Sequence, residues 1–190
     1  RYALIGADGA IPYRTSLTVG NAYDTALVAR ALRHDLDDHG APLVYRMDRA
    51  RAHDTPAVLA LLADYEALLL HGPPHLPRYY GQLERQNREH RAWLAGALPD
   101  EGRLRLMLDR VNRLWRRRNL GWQTAAEAWS ARAPLQVDRQ ALRQEVKVRA
   151  RAIGRRLAGR GNAADLAERL AIEQTLERLG YLKREIGGWC

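Results

Sequence analysis

Two periods of apolar residues alternate along the chain. "RYALIGAD" (1–8) and "YRTSLTV" (13–19) read as two strands joined by a "GADGAIP" turn, the pattern of a hairpin. "NAYDTALVARALRHDLDDHG" then runs at helical spacing, with Ala22, Ala26, Leu27, Ala29, Ala31 and Leu32 on a broad apolar face and Gly40 as a natural stop. "APLVYRMD" (41–48) lacks polar alternation, as expected of a short strand covered on both faces. A helix is predicted from about Thr55, with Pro56 in its first turn, and "ALLLHG" (67–72) reads as another strand. A proline loop then leads to a helix over roughly 81–97.

The order strand, strand, helix, strand, helix, strand, helix predicts an α/β fold with a mixed sheet flanked by helices, because a hairpin precedes the helical crossovers. "DEGRLRLMLDRVNRLWRRRNLGWQTAAEAWSAR" supplies a helix over about 101–117, a turn at "NLGW" and a short helix ending near Arg132. Pro134 marks a boundary, dividing a core at 1–132 from an all-helical extension at 135–190. In that extension Asp138 caps a helix striped by Leu142, Val146, Ile153 and Leu157. "GRGN" breaks it, Asn162 with Asp165 begins another helix, and Gly180 ends that one.

Charge changes this picture. Residues 1–100 hold eleven Lys and Arg against twelve Asp and Glu, whereas residues 101–190 hold twenty against ten. The net +9 is therefore a property of the second half. Arg139, Arg143, Lys147, Arg151 and Arg155 form an i, i+4 row of cations, a spacing at which like charges repel by roughly 0.2–0.5 kcal/mol per pair. A polyanion along the row would relieve that repulsion; Arg stems lying over apolar surface, helped by Glu145, are the plainer alternative. A single Cys excludes a disulfide framework and fits a reducing, cytoplasmic setting. The longest apolar run, "AVLALLA" (57–63), is too short to cross a bilayer. The chain starts with Arg, so further residues are expected upstream.

Two acids then stand out. Asp48 closes the strand "LVYRMD", and Glu84 sits in the first turn of the helix after the proline loop, thirty-five residues intervening. An acid at the C-terminal edge of a strand and one on a neighbouring helix can converge. With a third carboxylate they would bind two divalent cations roughly 3.5–4 Å apart, a clamp for phosphodiester chemistry. Oxygen ligands select Mg²⁺ or Mn²⁺. The alternative for Glu84 is an ordinary i, i+4 pair with Arg88 on a solvated face.

"PRYYGQLER" and the spacing from Asp48 to Glu84 resemble the catalytic cores of the DDE integrase and transposase superfamily, which have an RNase H-like fold. Pro77, Gly81, Glu84 and Arg85 fall at the family's positions in this stretch, and Arg91 stands seven residues after the Glu. "VNRLWRRRNLGWQTAAEAW" resembles the family's C-terminal motif in degraded form, so the likeness covers about residues 1–132. The resemblance implies a Mg²⁺- or Mn²⁺-dependent bacterial enzyme that cuts and joins DNA at transposon ends and target, working as a homo-oligomer near the nucleoid. It implies Asp48 and Glu84 as catalytic metal ligands, with Asn87, Arg88 and Arg91 toward DNA. The cationic row from Arg139 to Arg155 would add a second contact to DNA or to another protomer. Neither a membrane nor a small-molecule substrate is implied. Three departures accompany it. Asp48-Arg49-Ala50 replaces the family's Asp-Asn-Gly, and Tyr80 replaces an Asn. The family's first Asp belongs on a strand before the hairpin, so this chain alone is expected neither to cut nor to join DNA. Asp8 is read as a turn acid instead.

Overall fold

The computed structural model describes residues 1–73, 79 and 81–183. The readings placed on Pro77, Tyr80 and the end of the chain lie outside these residues.

The opening hairpin forms as expected. β1 (Tyr2–Ala7) pairs antiparallel with β2 (Arg14–Gly20), with a register shift at Gly6/Ala7. α1 (Thr25–His39) starts where the Asp24 carboxylate accepts from the Leu27 amide, satisfying an otherwise orphaned donor. It stops at Gly40, whose φ of 74° is the left-handed conformation that a Cβ disfavours. Its buried stripe is Leu27, Val28, Leu32 and Leu36, while Ala22 and Ala26 are exposed. The larger side chains remove more apolar area from water and so choose the face.

β3 (Val44–Met47) and β4 (Leu68–His71) run parallel, in register from Val44 opposite Leu68 to Met47 opposite His71. α2 (Pro56–Asp64) makes the crossover, with Pro at its N-terminus where no hydrogen-bonding partner is missed. The expectation of one mixed sheet needs correction. The hairpin and the parallel pair are separate two-stranded sheets, since no described strand lies between them.

α3 (Gly81–Leu94) and α4 (Glu101–Arg113) follow. α4 ends four residues earlier than the pattern suggested. Arg116–Arg117 form β5, paired antiparallel with β6 (Gln123–Thr124). Leaving the helix separates a dense run of guanidinium groups and lets Arg116 reach Glu127 at 3.7 Å. α5 (Ala125–Ser130) opens with a complete capping box between Thr124 and Glu127.

α6 (Arg139–Arg156) and α7 (Ala163–Arg178) pack on each other and against the parallel strands. Leu142, Val146, Ala171, Ile172 and Leu176 share one core with Leu43 and Leu70. Alternation along β3 and β4 sends Tyr45, Met47 and Leu69 to the opposite core, under α1 and α2. The parallel pair is thus covered on both faces. The hairpin carries its own core on Leu17, Leu104, Met107 and Val111, beneath α4.

Candidate active site

Asp48 stands one residue beyond β3, at the edge where a parallel strand delivers its side chains to a crevice. Its carboxylate is exposed and already engaged. Oδ1 lies 2.7 Å from His53 Nδ1 and accepts from the Ala50 amide at 3.1 Å. His53 Nδ1 is also 3.2 Å from the Asp48 carbonyl. Both neighbours of Nδ1 are acceptors, so that nitrogen carries the hydrogen, and in the neutral ring Nε2 accepts from Tyr23 Oη at 2.7 Å. Burial, and then the Asp48 carboxylate, raise the Tyr23 phenol above its ordinary pKa. The other carboxylate oxygen of Asp48, Oδ2, takes part in neither bond. His71, at the end of β4, places Nδ1 3.1 Å from the Asp48 carbonyl, so the turn after β3 is held from two sides.

Glu84 lies in the first turn of α3 and is exposed. It forms no ion pair with Arg88 among the described residues. Arg85, Arg88 and Arg91 are exposed on the same helix, and Asn87 is half-buried. The opposite side of α3 is fixed by Arg14 of β2, which is 2% exposed. Arg14 Nε donates to His90 Nε2 at 3.1 Å, and Nη2 donates to Glu89 at 2.9 Å. Asn112 of α4 brackets the Arg14 backbone, accepting its N–H at 2.8 Å and donating to its carbonyl at 2.9 Å. Burial, with the Arg14 charge beside it, pushes His90 down to about 4. This polar knot turns the Glu84–Arg91 face of α3 outward.

Two of the five cations in the α6 row are used within the chain. Arg139 donates to the carbonyls of Ala41 and Pro42, and Arg143 to that of Ala63 at 3.3 Å. Lys147, Arg151 and Arg155 remain exposed. Asp8 occupies the β1–β2 turn, where Oδ1 accepts from the amides of Ala10 and Ile11 at 2.9 and 2.7 Å. Trp93 packs against the α4 core and Trp129 stacks on Tyr13 at 4.8 Å, whereas Trp115 and Trp122 are exposed. Among the described residues no group of three or more His, Cys, Asp or Glu side chains gathers as a metal site. A cleft of 420 Å³ is lined by Arg1, Arg30, Asp100 and Glu101 with their neighbours, and by none of the predicted site residues.

No protein-family model matches the chain, and no curated protein matches it. Solved structures do. A chain of the simian T-cell lymphotropic virus intasome superposes with a TM-score of 0.63 at 17% identity, covering 71% of this chain and 51% of that one. The fold resembles that of integrase catalytic cores. The BIV integrase core superposes at 0.57 with 18% identity, over 67% of this chain and 84% of that one. The HTLV-2 integrase core, solved with magnesium in a trimeric form, superposes at 0.54 with 16% identity, over 65% and 80%. This chain spans about half the length of the intasome chain. In the integrase-like fold Asp48 follows a parallel strand and Glu84 opens a helix.

Asp48 and Glu84 were expected from the local sequence, whereas the side chains that contact the Asp48 turn and α3 were not. His53, Tyr23 and Arg14 were passed over. The only available signals were an Asp-x₄-His spacing and an Arg inside a strand, and both are common.

Proposed function

We propose that this chain is a DNA-processing module of the integrase and transposase type, in which Asp48 and Glu84 hold Mg²⁺ or Mn²⁺ against a phosphodiester. The observation that carries this reading is the coincidence of an integrase-core fold with an exposed carboxylate after β3 and another in the first turn of α3. The donor set fits a hard divalent cation: Asp48 Oδ2 is uncommitted in the His53 and Ala50 bonds, and Glu84 is not consumed by Arg88. When bound, such an ion supplies charge stabilisation to the attacking and leaving oxygens. Arg88 and Arg91, on the outward face of α3, position backbone phosphates beside the acids, and Asn87 contributes a neutral hydrogen bond. Lys147, Arg151 and Arg155 give a second phosphate contact. Paired DNA ends require at least two protomers.

Two-metal strand transfer requires three carboxylates, and no group of three candidate ligands gathers among the described residues. The 190-residue chain is therefore expected to bind DNA without joining it. A second reading, a non-catalytic DNA-binding or assembly protein derived from such a core, is favoured by one feature: Asp48 is already tied to His53 at 2.7 Å. Fluorescence anisotropy with labelled duplex tests the shared part. Each neutralised phosphate contributes about −0.9 to the slope of log K against log salt. Arg88→Ala with Arg91→Ala should flatten that slope by about 2. An unmodified protein whose binding is indifferent to salt between roughly 50 and 200 mM would remove both DNA readings.

A further inference from the structure

α7 buries a carboxylate. Glu173 is 5% exposed on a helix otherwise packed by Ala171, Ile172 and Leu176. A charge in that position is costly unless partners replace its water. Two do: Arg169 Nη1 lies 3.4 Å from each carboxylate oxygen, and Tyr79 Oη donates to Oε1 at 3.0 Å. Burial, then the Glu173 charge, raise the Tyr79 phenol well above its usual range, so it stays a donor. Tyr79 stands two residues before α3 and five before Glu84. The Arg46 guanidinium lies 5.7 Å from the centroid of its ring, and Arg46 belongs to β3, two residues before Asp48. The same helix reaches the other acid's turn directly, because Arg49 Nη1 donates to Asp165 at 2.7 Å. Arg49 is the residue standing where the family has Asn, and Asp165 is the acid at the start of α7.

We propose that Glu173 and Tyr79, with Arg46 and the Arg49–Asp165 pair, form a positioning joint through which α7 sets the relation between the Asp48 turn and the Glu84 helix. This proposal rests on the functional reading above only for its consequence, metal binding. The joint itself is a claim about geometry. It gives α7 a role in the site although α7 supplies no ligand. It also gives the Asp48-Arg49-Ala50 turn a reason: the side chain after Asp48 is used to anchor the turn to a helix.

The test uses the 190-residue chain with Cys190→Ser and nitroxide labels at Arg51→Cys and Arg85→Cys, both exposed sites flanking the two acids. Pulsed dipolar spectroscopy gives the distance distribution, and Mn²⁺ titration of the unlabelled chain gives affinity. Tyr79→Phe removes one oxygen and should at least double the width of the distribution while weakening Mn²⁺ about tenfold, the loss expected of a hydrogen bond to a buried charge. Glu173→Gln retains an acceptor for Tyr79 and should fall between. Adding Arg49→Ala to Tyr79→Phe should broaden the distribution further. Unchanged widths in Tyr79→Phe and in the double variant would overturn the proposal. Broadening in a protein whose Mn²⁺ binding ignores Asp48→Ala would uphold the joint and remove the metal reading instead.

Discussion

Two Arg–carboxylate pairs of nearly equal length divide the molecule. Arg14–Glu89 spans 2.9 Å in the hairpin half, with side chains 1% and 29% exposed, whereas Arg49–Asp165 spans 2.7 Å in the parallel half, with side chains 39% and 57% exposed. Coulomb attraction at equal separation is several times stronger in the protein interior than in water, and so is the penalty for leaving a partner unpaired. The buried pair therefore holds α3 to the hairpin as part of the fold. The exposed pair contributes little to stability and serves placement. Integrity and geometry are entrusted to different halves.

Arg14→Met should show the largest effect, a loss of about 3–5 kcal/mol in denaturant unfolding, because it leaves His90 and Glu89 of α3 without their partner. A loss below about 1 kcal/mol would mean the knot is dispensable. Ile172→Ala follows. Ile172 is 1% exposed in the core shared by α7, β3 and β4, so the cavity should cost about 2–5 kcal/mol in a single cooperative transition. Two separate transitions would instead make residues 135–190 an independent unit.

The pH dependence ranks third. His90 titrates at about 4 in the folded chain against an ordinary 6.5, so between those values the unfolded chain binds a proton that the folded one refuses. The contribution is complete above 6.5 and is lost as pH falls toward 4, by roughly 3 kcal/mol. In His90→Gln that slope should flatten. Arg49→Ala is expected to be smallest, within about 1 kcal/mol by thermal or chemical denaturation. A larger loss would erase the contrast between the two pairs.

Much of the fold was legible because its signals are local. Pro56 marks a helix start by its fixed φ, Asp138 another by accepting from the Ala141 amide, and Gly40 marks an end through its own φ. What was not legible depends on partners distant in the chain. The stripe of Leu142 and Val146 announces an amphipathic helix, but not that Leu43 and Leu70 are what it covers. Arg49 and Asp165 are 116 positions apart, and no periodicity joins them. The early end of α4 was missed for a third reason. Apolar spacing continues through Leu114 and Trp115, yet both are exposed, and the guanidinium groups around them favour the hairpin. Asp48 and Glu84 were singled out by their spacing alone, whereas His53 and Tyr23 beside Asp48 depend on loop geometry.

Whether Asp48 and Glu84 serve one ion is decided most directly by calorimetric Mn²⁺ titration of the 190-residue chain beside Asp48→Ala and Glu84→Ala. A shared site predicts that either substitution weakens the same binding event at least about tenfold, and that the double variant loses little more, since linked ligands are not additive. Binding that survives both substitutions unchanged, or two independent events each removed by one substitution, would contradict it.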